Sequence, residues 1–371
     1  MRVGIDGRVL SGRKTGDRTY ALGLLQGLRG LEKPPRIVVM LDREPDTTLQ
    51  TALEGVQFAV RERPRGYLWT LVALPRLARE TGVDLLHVQY MTPFGAPCPV
   101  ITTIHDISFR LHPEWFPLRH RLVMNTFIPR SVRRAAAVIA PSEATATDIR
   151  REYGCPPPTI HVTPYAAPLE FAGRPSQEAV YGCLEKHRIA QPFMLYIGNL
   201  QPRKNIRRLL RAFVAARTAE HFAHQLVIVG QAGWQCREEL DELEQARRAG
   251  HVAITGYVED EDLPALYAGA EAFLFPTLME GFGLPVLEAM AVGTPVLTSN
   301  TSSLPEVAGD AALLVNPLDE HALAEAIARL AHSPQLRATL RDAGFARAAQ
   351  FSWQRTAELT LALYGAVSHA P

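Results

Sequence analysis

Two carboxylates, Glu280 and Glu288, stand in AFLFPTLMEGFGLPVLEAMAVGTPVL (272–297), a run otherwise fit for a core. A buried carboxylate is costly unless something binds it. The pair therefore either reaches solvent or lines a site that a ligand fills. AFLFPT reads as a strand. Pro285 suits the start of a helix, where its missing N–H costs nothing, and Gly293 with Thr294-Pro295 stops that helix. Glu280 then falls in the loop before the helix and Glu288 in its first turn. The free N–H groups of Gly283, Leu284 and their neighbours make a ready anion site, and Gly281 and Gly283 allow close backbone approach to a ligand. An ionised carboxylate only accepts hydrogen bonds, so it suits the vicinal hydroxyls of a ribose or hexose. A capping acid plus an exposed loop acid is the plainer alternative. The two acids together with GFGLP point to a sugar-bearing ligand.

A second loop lies in YIGNLQPRKNIRRLLRAF (196–213), where a strand ends at Gly198-Asn199. The following helix shows Ile206, Leu209, Leu210 and Phe213 on one face. Arg203 and Lys204 stand at its entrance, where the dipole disfavours cations unless an anion joins them. Two fixed positive charges there suit a diphosphate and can stabilise it as a leaving group without metal. A solvated pair on a basic helix, continued by Arg207, Arg208 and Arg211, is the alternative. The third loop is TTIHDISF (102–109), in which His105 and Asp106 end a strand. A lone His-Asp at a strand end is more often a turn than a catalytic pair, and its weight comes from the other two loops.

These loops need a scaffold that presents strand ends. Short β-rich runs recur at 2–6, 36–41, 56–60, 84–89, 99–106, 136–141 and 159–164, with helical patterns such as TYALGLLQGLRGL (19–31) between them. After a Pro-rich stretch the alternation restarts at 193–200, 225–230, 251–258, 272–277, 295–299 and 312–316. Strand and helix alternating in this way imply an α/β protein with parallel, doubly wound sheets. Two such lobes, joined near residues 165–190, would face a cleft, with ligands beyond the carboxyl ends of the strands. The length of 371 residues and 47% hydrophobic content agree with two domains.

The net charge of +1 excludes a polyanion binder of the histone type, and no nucleic-acid partner is expected. The balance hides an asymmetry: 22 Lys and Arg against 15 Asp and Glu up to residue 165, then 17 against 23. The two halves are expected to meet different things. Cys98, Cys155, Cys183 and Cys236 lack zinc spacing. There is no signal-peptide core, and no apolar stretch approaches the roughly 20 residues that span a bilayer. A reduced, cytoplasmic protein is expected, touching a membrane only from one face.

In these blocks the chain resembles the retaining, nucleotide-sugar-dependent group 1 (family 4) glycosyltransferases of the two-lobed GT-B fold. The carriers are Glu280-GFGLPVL-Glu288, which matches that family's E-x7-E, together with GNLQPRKN, HDISFRLHPEWF, GYVEDEDLPALYAGAEAFLFPT and VGTPVLTSNTSSLPEVAGDAALLVNPLD. The resemblance covers essentially the whole chain. It implies a Rossmann-like acceptor-side domain over 1–168, joined by a returning helix within 353–371, and a Rossmann-like nucleotide-sugar domain over 169–352. It also implies roles. Arg203 and Lys204 would hold the donor diphosphate, Glu288 the ribose hydroxyls, and Glu280 the transferred sugar, with the backbone of Phe282, Gly283 and Leu284 around it. His105 would lie by the anomeric carbon and support its developing positive charge, and backbone near Tyr257 and Val258 would meet the base. Asn199 and Asp106 are counted with the donor-binding positions. HDISFRLHPEWF resembles the mannosyltransferase-like branch, so GDP-mannose is the first choice of donor, with UDP-glucose and other UDP-hexoses next. The acceptor would be a glycan or a lipid-linked sugar, in cell-surface polysaccharide or glycolipid synthesis.

One loop departs from that pattern. Where the family commonly has Gly-x-Gly, this chain has Gly16-Asp17-Arg18. Gly16 still allows close approach, and Arg18 is expected to contact the donor phosphate or an anionic acceptor. Two near misses are set aside. GRVLSGRKTG approaches a phosphate-binding loop, but Lys14 and Thr15 are displaced by one position. Asp260-Glu261-Asp262 mimics a metal-binding DxD, yet it precedes a helix, so capping is the expected use and no catalytic metal or cofactor is expected. The stretch 108–134 carries Arg110, Arg119, Arg121, Arg130, Arg133 and Arg134 against the single acid Glu114, with Trp115, Phe116, Leu118 and Phe127 interleaved. Such a face suits peripheral contact with an anionic membrane; a helix with a solvated basic face is the alternative. Two rival functions remain open: a nucleotide-sugar 2-epimerase, and a non-catalytic subunit that binds a nucleotide sugar.

Overall fold

Each half of the chain builds a parallel sheet from short strands that are apolar along almost their whole length, the pattern of strands covered on both faces. The computed structural model describes residues 1–12, 15–64, 66–154, 159–231, 233–234 and 237–368. Lys14 of the phosphate-loop near miss, and Cys155 and Cys236, lie outside them.

Among the described residues the first sheet has seven strands: β1 (Arg2–Asp6), β2 (Arg36–Leu41), β3 (Gln57–Val60), β4 (Leu85–Gln89), β5 (Val100–Thr103), β6 (Ala137–Ala140) and β7 (Ile160–Val162). Their order is β3-β2-β1-β4-β5-β6-β7, and every pairing is parallel. The second sheet has β8 (Phe193–Ile197), β9 (Gln225–Val229), β10 (Val252–Gly256), β11 (Ala272–Phe275), β12 (Val296–Ser299) and β13 (Ala312–Val315). They lie in the order β10-β9-β8-β11-β12-β13, again all parallel. Each sheet is wound outward in both directions from its first strand. The direction in which strands are added reverses between β1 and β4 in one sheet and between β8 and β11 in the other, and such switch points are where doubly wound sheets bind ligands. All thirteen strands coincide with the β-rich runs of the sequence.

Packing divides the chain into two compact units. The first comprises Met1–Leu111, Arg119–Ala166 and Ser352–Pro371; the second comprises His112–Leu118 and Ala167–Phe351. The segment His112–Leu118 therefore differs from the sequence boundaries, which kept it with the first unit. The reason is local: the Trp234 indole N–H donates to the Trp115 carbonyl at 2.7 Å, and Phe116 lies against the Trp234 ring, centroids 5.7 Å apart.

In the first unit the helix Trp353–Ser368 packs on the helix Gly16–Arg29. Two glycines make the approach possible. A Cβ at Gly23 would lie 2.2 Å from the Trp353 ring, and one at Gly27 would lie 2.3 Å from the Trp353 carbonyl oxygen. The same helix closes a buried polar chain. His87 Nδ1 pairs with the Tyr364 hydroxyl at 2.6 Å and Nε2 with Thr103 Oγ1 at 2.8 Å. The Tyr20 hydroxyl meets that same Thr103 oxygen at 2.8 Å.

Candidate active site

In the second unit the site grows from the adjacent ends of β8 and β11. After β8 the chain makes a short turn, Pro202–Lys204, and then the helix Ile206–Glu220. Asn205 between them is left-handed (φ +59°). Its side-chain amide donates to the carbonyls of Pro276 and Pro317 at 2.9 and 2.7 Å, which ties the turn to the loop after β11. That tie brings three charges together. Arg203 Nη1 and Lys204 Nζ both donate to one oxygen, Glu280 Oε1, at 2.8 and 2.6 Å. All three side chains are at most 20% exposed. Arg203 also donates to the Met279 carbonyl at 3.2 Å, and the Lys204 ammonium sits 4.8 Å from the centre of the Phe275 ring. Burial pushes the Glu280 carboxyl up, but the two cations outweigh it and hold the group below the usual carboxylate range.

The loop carrying Glu280 is pinned by two serines. Ser302 Oγ accepts from the Glu280 N–H at 3.1 Å. Ser303 Oγ donates to the carbonyls of Glu280 and Phe282 at 2.9 and 2.6 Å. Gly283 then turns the chain with φ +119°, a conformation side chains resist, and the helix Leu284–Ala291 begins with Pro285 in its first turn. Glu288 is the fifth residue of that helix, one turn deeper than the spacing suggested. It is 6% exposed and accepts from the buried Tyr267 hydroxyl at 3.1 Å. Phe282, Leu284 and Val258 are buried, Tyr257 is half-buried and Asn199 is exposed.

In the first unit His105 lies just past β5 and is 7% exposed. Its ring is enclosed by those of Tyr20, Tyr90 and Tyr165, with centroids 5.1, 5.2 and 5.8 Å away. Nδ1 pairs with the Tyr165 hydroxyl and Nε2 with Gln89 Oε1, both at 2.6 Å. Asp106 Oδ1 accepts from the N–H and hydroxyl of Ser108 at 2.8 and 2.6 Å, which closes the turn into the helix Ser108–Leu111. Gly16 opens the helix Gly16–Arg29, with Thr15 as its cap accepting from the Arg18 N–H at 3.2 Å. The Arg18 guanidinium reaches the Leu10 carbonyl at 3.5 Å.

The structure thus brings together Arg203, Lys204 and Glu280, which the sequence read as separate loops, and it sets His105 in a network of its own. Two expectations change. Asp262 precedes the helix Leu263–Gly269 without capping it. Its carboxylate instead takes Lys186 Nζ and His187 Nε2 at 2.6 and 2.8 Å. Cys183 joins these, with the ligand-type atoms of Cys183, His187 and Asp262 within 4.8 Å of one another; the Lys186 ammonium already supplies positive charge there. On the stretch 108–134, Phe116 is buried and Trp115 belongs to the second unit. The exposed apolar side chains are Leu118 and Leu122, one turn apart on the helix Leu118–Arg134, beside the exposed Arg119. Sequence reasoning missed Asn205, Tyr267, Ser302, Ser303, Gln89 and Tyr165. Ser302 and Ser303 stood inside a quoted block, but nothing in their spacing links them to Glu280.

Comparison with known proteins places this geometry among relatives. Residues 185–347 match the family model described as glycosyl transferases group 1, and residues 16–171 match that of glycosyltransferase family 4. The chain is 37% identical over 265 residues to the O-antigen chain mannosyltransferase B of Escherichia coli, covering 71% of this chain and 69% of the relative. It is 33% identical over 240 residues to the MMP alpha-(1→4)-mannosyltransferase of Mycolicibacterium hassiacum, covering 63% of this chain and little more than half of that one, 55%. Anabaena HepE, crystallised with UDP and glucose, superposes with a TM-score of 0.77 at 21% identity, over 99% of this chain and 100% of that one.

Proposed function

The chain belongs to the group 1, family 4 glycosyltransferases, and from that premise we propose that this hexosyltransferase moves mannose from GDP-mannose to a glycan or lipid-linked acceptor with retention at the anomeric carbon. The observation that carries this reading is the single carboxylate oxygen shared by Arg203 and Lys204 at the switch point of the second sheet. A buried and a part-buried cation held against one acid, beside a helix N-terminus, suit the diphosphate of a nucleotide sugar. The 37% identical mannosyltransferase supports mannose as the sugar.

In this reading Arg203 and Lys204 hold the diphosphate and take up the charge that grows on it as the bond from the anomeric carbon breaks. The acceptor oxygen forms its bond on the same face, and its proton leaves with the departing phosphate. Two fixed cations perform the task a metal would perform elsewhere, so the reaction needs none. Glu288 takes the ribose hydroxyls and Glu280 the sugar hydroxyls. The backbone of Phe282, Gly283 and Leu284 surrounds the sugar, and backbone at Tyr257 and Val258 meets the base. Gly16, Arg18, Asp106 and Asn199 complete the donor side. His105 supports the positive charge of the oxocarbenium-like state.

The test is release of nucleoside diphosphate from GDP-mannose, UDP-glucose and other UDP-hexoses, in chelator, with and without glycan acceptors. Retained activity in chelator with GDP-mannose and an acceptor is expected; strict divalent-ion dependence or release only from UDP-hexoses would overturn the respective part. In the same assay Glu288→Ala should raise the donor KM about tenfold to a hundredfold with a smaller change in kcat. A change confined to kcat would remove Glu288 from the ribose.

Among the described residues no helix is long and apolar enough to cross a membrane. We place the enzyme in the cytoplasm, in peripheral contact with an acidic membrane through the helix Leu118–Arg134. Leu118 and Leu122 are 63% and 61% exposed there, and Arg119, Arg130, Arg133 and Arg134 are exposed with them. This pairing of apolar insertion with positive charge suits anionic headgroups. The protein should float with anionic liposomes at low salt, and Leu122→Glu should abolish flotation; no binding at low salt would refute the contact.

A further inference from the structure

We propose that Gln89 and Tyr165 are positioning residues that hold the His105 ring as its neutral Nε2–H tautomer, so that an uncharged imidazole stands at that point during sugar transfer. The functional half of this inference rests on the glycosyl-transfer reading; the tautomer itself does not.

Both ring nitrogens are engaged at 2.6 Å, one by the Tyr165 hydroxyl and one by Gln89 Oε1. A hydroxyl can donate or accept, and an amide can present either end. The choice is made by a third group. Asp17 Oδ1 lies 3.7 Å from Nε2, and a carboxylate favours an N–H over a lone pair facing it. Nε2 therefore carries the proton, donates to Gln89 Oε1 and faces Asp17. Nδ1 is left as an acceptor, and Tyr165 must donate to it. Tyr165 is 3% exposed, and burial raises its phenol well above the ordinary range, so the donor proton stays in place.

The clamp is built into the sheet. Gln89 ends β4 opposite Thr103 of β5, and Tyr90 after it is left-handed (φ +61°). The Tyr90 N–H donates to the Thr103 carbonyl at 2.8 Å and the Met91 N–H to the Gln89 carbonyl at 2.7 Å. A tyrosine in that conformation persists only when its surroundings impose it. The groups around the ring are Asp17 and Tyr20 from the helix Gly16–Arg29, His87 and Tyr90 from β4 and its end, the adjacent Asp106, and Tyr165. Burial pushes the His105 imidazole below its usual range, with Asp17 and Asp106 opposing it only in part. A neutral ring has a clear use beside an oxocarbenium-like centre, since an imidazolium would repel the charge it is meant to support.

The experiment has two readouts. Long-range proton–nitrogen spectra of protein labelled with 15N-histidine, with His105 assigned through His105→Asn, report its tautomer and titration with no donor present. The wild type should show Nε2 protonated and Nδ1 bare from pH 8 down to pH 6. Gln89→Glu, which adds a second carboxylate at Nε2, should raise the titration of His105 into that range, and Tyr165→Phe should mix the two tautomers. In the transfer assay kcat of Gln89→Glu should fall roughly tenfold for each pH unit below the new titration point while the wild type stays flat. Tyr165→Phe should lose about tenfold in kcat or more with donor KM little changed. An Nδ1–H or cationic His105 in the wild type, or an unaltered titration in Gln89→Glu, would overturn the clamp whatever the assay gives. The clamp in the spectra without any sugar transfer would instead count against the functional reading.

Discussion

Replacing Glu280 with alanine is expected to cost the second unit about 3–5 kcal/mol and to make that loss recoverable by a nucleoside diphosphate. The carboxylate answers both Arg203 and Lys204 through a single oxygen, and all three side chains are largely buried. Removing it takes a shared countercharge from two largely buried cations, which costs more than losing an exposed pair would. A diphosphate that binds there restores the missing charge. Its stabilising effect should therefore be larger in Glu280→Ala than in the wild type, where the ligand has to share the cations with the acid. Turnover with a nucleotide-sugar donor should fall about a hundredfold or more, because the group assigned to the moving sugar is gone. Thermal unfolding with and without GDP or UDP reads the first part and steady-state kinetics the second. Equal shifts by the diphosphate in both proteins would show that the cations do not serve it.

The first unit is expected to lose about 2 kcal/mol between pH 6.5 and pH 5, and about 3 by pH 4, from His87 alone. Burial, aided by the neighbouring His105, lowers His87 from an ordinary 6.5 to about 3. Between those values the unfolded chain binds a proton that the folded chain refuses, so stability falls as pH falls through the window and is fully present above 6.5. The folded state refuses it because a charged ring would sit out of water, in a pocket where the Tyr364 and Thr103 hydroxyls hold both ring nitrogens. Hydrogen exchange of the β4 and β5 amides across this range measures the slope for that sheet. His87→Gln, which keeps polar atoms but cannot titrate, should flatten it; an unchanged slope would assign the acid sensitivity elsewhere.

The strands were legible because each is an apolar run bounded by turn residues, and parallel strands covered on both faces need nothing subtler. The site was legible one loop at a time. Glu280 in a core-like run and Arg203-Lys204 before a helix each raised a question that local chemistry answers. Their meeting on one oxygen was not legible, since it depends on β8 and β11 being neighbours and on Asn205 tying two loops together across more than seventy residues. The same holds for His105, whose partners come from the end of β4 and from beyond β7. Asp262 shows the opposite error. A position that suits a cap was read as one, while Lys186 and His187, two positions invisible from the local pattern, claimed its carboxylate.

The helix Trp353–Ser368 belongs to the first unit, although the whole of the second unit is encoded before it. On the ribosome, where the chain emerges from its N-terminus, the second unit has all its residues available while the first still lacks the partner for Gly23, Gly27 and His87. Those positions must wait, with a glycine-lined groove and His87 Nδ1 still lacking the Tyr364 hydroxyl, until the helix Trp353–Ser368 arrives. Synthesis order and completion order are thus reversed. The unit translated first is the last that can close, and a chain truncated before residue 353 would carry every residue of the second unit attached to a first one still open.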